Sequence, residues 1–160
     1  MATTQITAEP GTPFIDITRE FDAPREMVFR AYTEPELLLQ WLGPRSLTMT
    51  IDYFEARDGG RWRYVHRDAD GTEYGFHGVY HGTPSVEGIV QTFEFEGAPG
   101  HVSLEKATFE ERGGKTLVRQ RAAYQSVEDR DTMVQSGMEA GVNDSMERLE
   151  ELLGRLAPVR

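Results

Sequence analysis

The chain has 160 residues, no cysteine, and 17 basic against 27 acidic side chains, a formal net charge of −10. That length predicts one domain with enough chain to bury a core. The charge disfavours nucleic acid and anionic lipid as partners, and the lack of cysteine removes disulfides, Cys-ligated zinc, iron–sulfur clusters and thiol nucleophiles together.

Residues 1–13 have no basic start and no apolar stretch, so they predict a flexible N-terminal tail rather than a signal peptide. The longest bare apolar run is Leu37-Leu38-Leu39, far short of a bilayer span, so no membrane partner is expected. The expectation is a cytoplasmic protein with a single domain over residues 14–157.

Phe14 to Phe21 alternates as a strand, with Ile15, Ile17 and Phe21 on one face and Asp16, Thr18 and Glu20 on the other. Asp22 is placed to cap a helix with Pro24 in its first turn, and Met27, Val28, Ala31 and Tyr32 form its apolar stripe. Thr33, with Glu36 three residues on, has the form of a capping box for a second short helix. That helix carries Leu37, Leu38, Trp41 and Leu42 and stops at Gly43-Pro44.

From Leu47 the period becomes two. Leu47, Met49, Ile51 and Tyr53 alternate with polar residues, and Asp58-Gly59-Gly60 marks a hairpin. Arg61 to Arg67 follows, with Trp62, Tyr64 and His66 on one face, and Asp70-Gly71 marks the next hairpin, which sets His66 near Tyr74. Glu73 to Gly82 contains Gly75 and Gly78, which predict a bulge or close packing. Gly88 to Glu96, His101 to Glu111 and Lys115 to Gln125 are the last strands, divided by Ala98-Pro99-Gly100 and Gly113-Gly114. Strands joined by such short turns form an antiparallel meander.

The C-terminal stretch is helical. Ser126 with Asp129 resembles a capping box, and Val134, Met138, Gly141, Ser145, Leu149, Leu152 and Leu156 step by threes and fours. Eight acids and three bases over residues 127–156 clothe the outer face; Gln135-Ser136-Gly137 is a weak point, and Pro158 ends the helix. The expected class is α+β, a curved antiparallel sheet of six to seven strands gripping a long C-terminal helix, in the order β-α-α-β-β-β-β-β-β-α. Such a sheet leaves a natural apolar pocket beneath the helix.

Asp22-Ala23-Pro24, Val28-Phe29, Thr33, Pro35-Glu36-Leu37 and Gln40-Trp41-Leu42-Gly43-Pro44 appear in order. They are followed by Gly59-Gly60-Arg61-Trp62-Arg63-Tyr64-Val65, Asp70-Gly71-Thr72-Glu73-Tyr74, Gly78 and Gly137-Met138-Glu139-Ala140-Gly141. This succession, spanning residues 14–156, resembles the START-like helix-grip superfamily, specifically bacterial proteins related to the C-terminal domain of the Hsp90 ATPase activator. Val142 departs from it, standing where many relatives have Trp. The resemblance implies a helix-grip fold and a hydrophobic cavity, but no single activity. Relatives include lipid and hormone carriers, polyketide cyclases and a co-chaperone, the last implying a stress-response setting.

Trp62, Tyr64 and His66 point one way from one strand, either as a pocket wall with two polar tips or as ordinary core. With Phe76, Phe93 and Met138 they are the candidate ligand-binding residues, Val142 and Trp41 lying near the cavity ends; Trp41 also suits a structural plug. His77 and His81 share a face but lie too far apart to chelate, and no metal or cofactor is expected. Glu94 and Glu96 face away from Phe93 and Phe95 and read as solvated rather than as a catalytic pair. Gly114-Lys115-Thr116 opens a strand and lacks the upstream glycine of a phosphate loop. The reading is a binding protein for a small hydrophobic or aromatic molecule, a homodimer being possible. The alternatives are a cyclase- or hydrolase-like enzyme with His66 as general base and Tyr64 as donor, or a chaperone-binding module.

Overall fold

The computed structural model describes residues 3–156, so the stop expected at Pro158 lies outside the described residues. Its elements run β1 (Gln5–Thr7), β2 (Phe14–Phe21), α1 (Arg25–Thr33), α2 (Pro35–Leu38), β3 (Thr48–Phe54), β4 (Arg61–Arg67), β5 (Glu73–Val79), β6 (Ile89–Phe95), β7 (Val102–Arg112), β8 (Lys115–Ala123), α3 (Val127–Gln135) and α4 (Met138–Leu156). The eight strands form one antiparallel sheet in the order β1-β2-β8-β7-β6-β5-β4-β3. This is the α+β helix-grip architecture, with two differences from the sequence expectation.

The first is at the N-terminus. Gln5–Thr7 pairs with β2 through Gln5↔Thr18, Ile6↔Ile17 and Thr7↔Asp16, so the stretch read as a loose tail carries an edge strand and the sheet has eight strands. The second is at the C-terminus, where the long helix is two helices broken at Gly137, whose φ of +84° only glycine adopts freely. Ser126 Oγ accepts from the Asp129 amide, as its spacing predicts. The other two caps differ. Pro24 is the N-cap residue of α1 and Glu34 that of α2, neither with a side-chain cap bond. The Thr33 hydroxyl instead donates back to the Phe29 carbonyl at 2.9 Å, belonging to the end of α1 rather than the start of α2.

Alternation decides which side chains meet the helices. In β4, Trp62, Tyr64 and His66 are buried while Arg61 and Arg67 are exposed. Register carries this face across the sheet through Tyr64↔Phe76, Phe76↔Phe95, Phe93↔Ser103 and Phe109↔Val118. α4 docks on it with Ser145, Met146, Leu149, Leu152 and Leu153. Val28 and Ala31 of α1 and Leu37 and Leu38 of α2 fill the end of the same core.

Gly78 shows how tight the sheet is there, since a Cβ on it would overlap the Thr92 carbonyl oxygen and the Trp62 ring. Gly78→Ala is therefore expected to cost about 2–4 kcal/mol. Gly154→Ala, in α4 with open space where its Cβ would go, should stabilise by roughly 0.5–1 kcal/mol. Urea unfolding of the two variants checks both signs.

Candidate functional site

The inner face of the sheet carries a continuous aromatic row. Trp62 stacks on Tyr64 (centroids 5.1 Å apart, 16° between planes), and Tyr64 stacks on His66 (5.2 Å, 25°). Phe76 lies 5.5 Å from Tyr64, 5.4 Å from His66 and 5.4 Å from Phe93, and Phe93 lies 6.0 Å from Trp62. Five of the eight expected residues are thus one assembly. Val142 packs against the core that includes Trp62 and Tyr64, while Met138, one turn earlier, is half-buried outside that cluster. Trp41 is sealed, with its Nε1 donating to the Ala31 carbonyl at 2.9 Å and its ring against Tyr32 at 4.8 Å. Its geometry is that of the plug between α1 and α2.

His66 is held as a neutral ring. Gly43 lies directly on it, since a Cβ there would sit 2.6 Å from His66 Cε1, and Nε2 is 3.2 Å from Met49 Sδ. Burial first, and then the positive Arg148, lower its pKa to about 4. The loop above it is tied to α4, with the Gly43 amide donating to Ser145 Oγ at 2.8 Å and Arg148 Nη1 donating to the Gly43 carbonyl at 2.9 Å. Tyr64 meets His66 face to face rather than through its hydroxyl, and burial raises its pKa.

Beside the aromatic row lies a polar group that alternation contained but the sequence reading did not single out. Ser103, Glu105, Ala107 and Phe109 share one face of β7, which places Glu105 on the inner side. Gln91 Nε2 donates to Glu105 Oε1 at 3.1 Å. Burial pushes the Glu105 carboxyl up to about 7, with Gln91 opposing the shift. Trp62 Nε1 and Ser103 Oγ are buried with no hydrogen-bond partner among the described residues. Phe76, Gln91, Phe93, Glu105 and Val142 remain only half-buried, so this part of the inner face borders accessible space.

The outer face is different. Two grooves there, of about 360 and 430 Å³, are lined by Arg63, Gly75 and Glu96 and by Asp16, Arg119 and Arg121 respectively. Most of their charges are paired. Arg63 binds Glu96 through Nε at 2.8 Å and Asp52 at 3.3 Å, His77 bridges Glu94 and Glu96, and Arg121 binds Asp16 at 2.7 Å. The Arg63 hydrogen bond holds the Glu96 carboxyl down at about 2.

The residues from Asp22 to Gly154 match the family model described as "Activator of Hsp90 ATPase homolog 1-like protein", residues 22–154. The chain belongs to this family. Among solved structures, a Rhodobacter sphaeroides protein superposes with a TM-score of 0.87 at 25% identity, covering 96% of this chain and 99% of that one. Protein Ms6760 from Mycobacterium smegmatis gives 0.86 at 23% identity, covering 100% and 99%. A Staphylococcus epidermidis protein gives 0.79 at 27% identity, covering 96% and 97%. The curated proteins contain no match. The family is one whose members bind ligands or chaperones, and no helix among the described residues is long and apolar enough to cross a membrane.

His66 and Glu105 predict opposite pH effects. A buried neutral His with a lowered pKa stabilises the fold above its unfolded value, and that stability is lost as pH falls toward about 4. A carboxyl raised to about 7 stabilises below its unfolded value, and that stability is lost as pH rises through about 7. Glu105→Gln should flatten the alkaline limb, recovering on the order of 2 kcal/mol at about pH 8 in denaturant titrations. In NMR titrations the His66 ring should stay neutral until near pH 4. His101, raised by its bond to Asp129, should titrate above the ordinary histidine range.

Proposed function

We propose that the protein binds a small hydrophobic or aromatic molecule between the inner face of the sheet and α4. The observation that carries this reading is the aromatic row of Trp62, Tyr64, Phe76 and Phe93, which is packed across β4, β5 and β6 yet left half-open at Phe76 and Phe93. Apolar burial supplies affinity, and the half-buried Gln91 and Glu105 beside the row supply polar contacts for orientation. Val142 is part of the same reading, as a half-buried α4 residue packed against the core that holds Trp62 and Tyr64.

The enzyme reading is weaker. His66 is clasped under Gly43 with its basicity suppressed, so it makes a poor general base at neutral pH. For a chaperone-binding module, the family description is the support. Of the exposed large apolar residues, Leu39 follows α2, Leu104 lies on β7, and Val127 and Val134 stand at opposite ends of α3. A cytoplasmic location and a homodimer remain part of this proposal, resting on composition and resemblance.

The test is titration with Nile red, a neutral apolar dye, read by dye emission and by quenching of Trp fluorescence. Binding should be saturable, and Val142→Trp should weaken it by about tenfold by filling the space. Glu94→Gln, on the outer face, should leave it unchanged. If Val142→Trp and Tyr64→Phe both bind the dye as the parent does, the inner-face residues are simply core.

A further inference from the structure

Most charges on the covered side of this protein have partners. Arg19 reaches Thr4 Oγ1 at 2.8 Å and Glu150 at 2.9 Å. Arg130 donates to the Glu9 and Phe14 carbonyls and pairs with Asp131. Arg148 donates to the Gly43 and Gln40 carbonyls. Glu105 is the contrast. It lies on the inner face between Gln91 and Ala122 in register, and its sole hydrogen bond among the described residues is the one from Gln91. No cation pairs with it among the described residues, and the residue is only half-buried.

We propose that the ligand of this cleft carries a basic nitrogen on its aromatic or apolar body, and that Glu105 is the residue that binds that nitrogen. The inference rests on the cleft reading above. A carboxylate taken out of water without a cation is costly, and a ligand ammonium both neutralises it and fills its free oxygen's hydrogen-bonding capacity. The surroundings suit a cation. Tyr64 of β4 and Tyr124 beyond β8 both feel the Glu105 charge, Gln91 of β6 bonds it, and none of the three carries charge at neutral pH. Arg130 of α3 acts on Tyr124 but is saturated by its two carbonyls and Asp131. The half-buried rings of Phe76 and Phe93 lie along the same inner surface, and aromatic faces attract ammonium groups. The net charge of −10 further raises the local concentration of cations.

The class can be tested with three naphthalene probes of similar size: naphthylmethylamine, naphthylmethanol and naphthoate. Calorimetric titration at moderate salt and about pH 8, where Glu105 is ionised and the amine protonated, should rank amine over alcohol by about tenfold, with naphthoate weakest. That preference should shrink at about pH 5.5, where Glu105 is protonated. Glu105→Gln should abolish the preference, and an unchanged far-UV circular dichroism spectrum shows that the variant is folded. Glu94→Gln, which removes one charge from the outer face, should keep the preference and so exclude a general surface effect. Equal binding of amine and alcohol, or a preference that survives Glu105→Gln, overturns the assignment of Glu105 while the cleft stands. If none of the three probes binds, the cleft reading fails and takes this inference with it.

Discussion

The structure turns on a mismatch of areas. Eight strands spaced about 4.8 Å apart make a sheet roughly 34 Å across. α4, with 19 residues, is roughly 28 Å long and about 10 Å wide. One helix cannot cover that face. α1 and α2 close one end, where Thr116 Oγ1 donates to the Ala23 carbonyl at 2.7 Å and Gln120 Nε2 donates to the Tyr32 hydroxyl at 2.8 Å. The segment after α2 closes another part, held to α4 by Ser145, Asp144, Arg148 and Glu151. What these covers leave is the half-open region at Phe76, Phe93, Gln91 and Glu105.

Polar groups divide along the same line. Where the helices press on the sheet, buried donors are satisfied, as at Thr116, Trp41 and most of Arg19. Beside the aromatic row, Trp62 Nε1 and Ser103 Oγ are sealed without partners among the described residues, and Glu105 goes without a cation. Unmet buried donors cost about 1–3 kcal/mol each. Of the three sealed donors without a partner among the described residues, Arg19 Nε stands on β2 and the other two on β4 and β7 beside the aromatic row.

Much of this was legible from period and turn chemistry. The alternation of β4 placed Trp62, Tyr64 and His66 together, Asp70-Gly71 set His66 opposite Tyr74, and Gly137 broke the last helix where Gln135-Ser136-Gly137 looked weak. Two of the misses share one cause. Arg19 stands between Ile17 and Phe21, and Glu105 between Ser103 and Ala107, each on the inward parity of its strand. A charged residue reads as solvated unless its position in the alternation outweighs its type. β1 escaped notice because three residues of edge strand, with only Ile6 apolar, carry almost no periodicity. Trp41 could not be divided between plug and rim without the Ala31 carbonyl that it reaches ten residues back.

The two glycines of β5 show how opposed the faces are. Gly75 and Gly78 lie three apart, an odd step, so they open space on opposite sides of one strand. A Cβ at Gly75 would collide with the Glu96 carboxylate, and one at Gly78 with the Trp62 ring. On the outer side the room is taken up by the Arg63–Glu96–His77 network, whose hydrogen bonds satisfy its own charges. On the inner side the room admits the flat of Trp62 and leaves its Nε1 unpaired. The same strand thus backs a charged face that closes on itself and an aromatic face that keeps accessible surface at Phe76 and Phe93, the face on which the proposed ligand would gain most from burial.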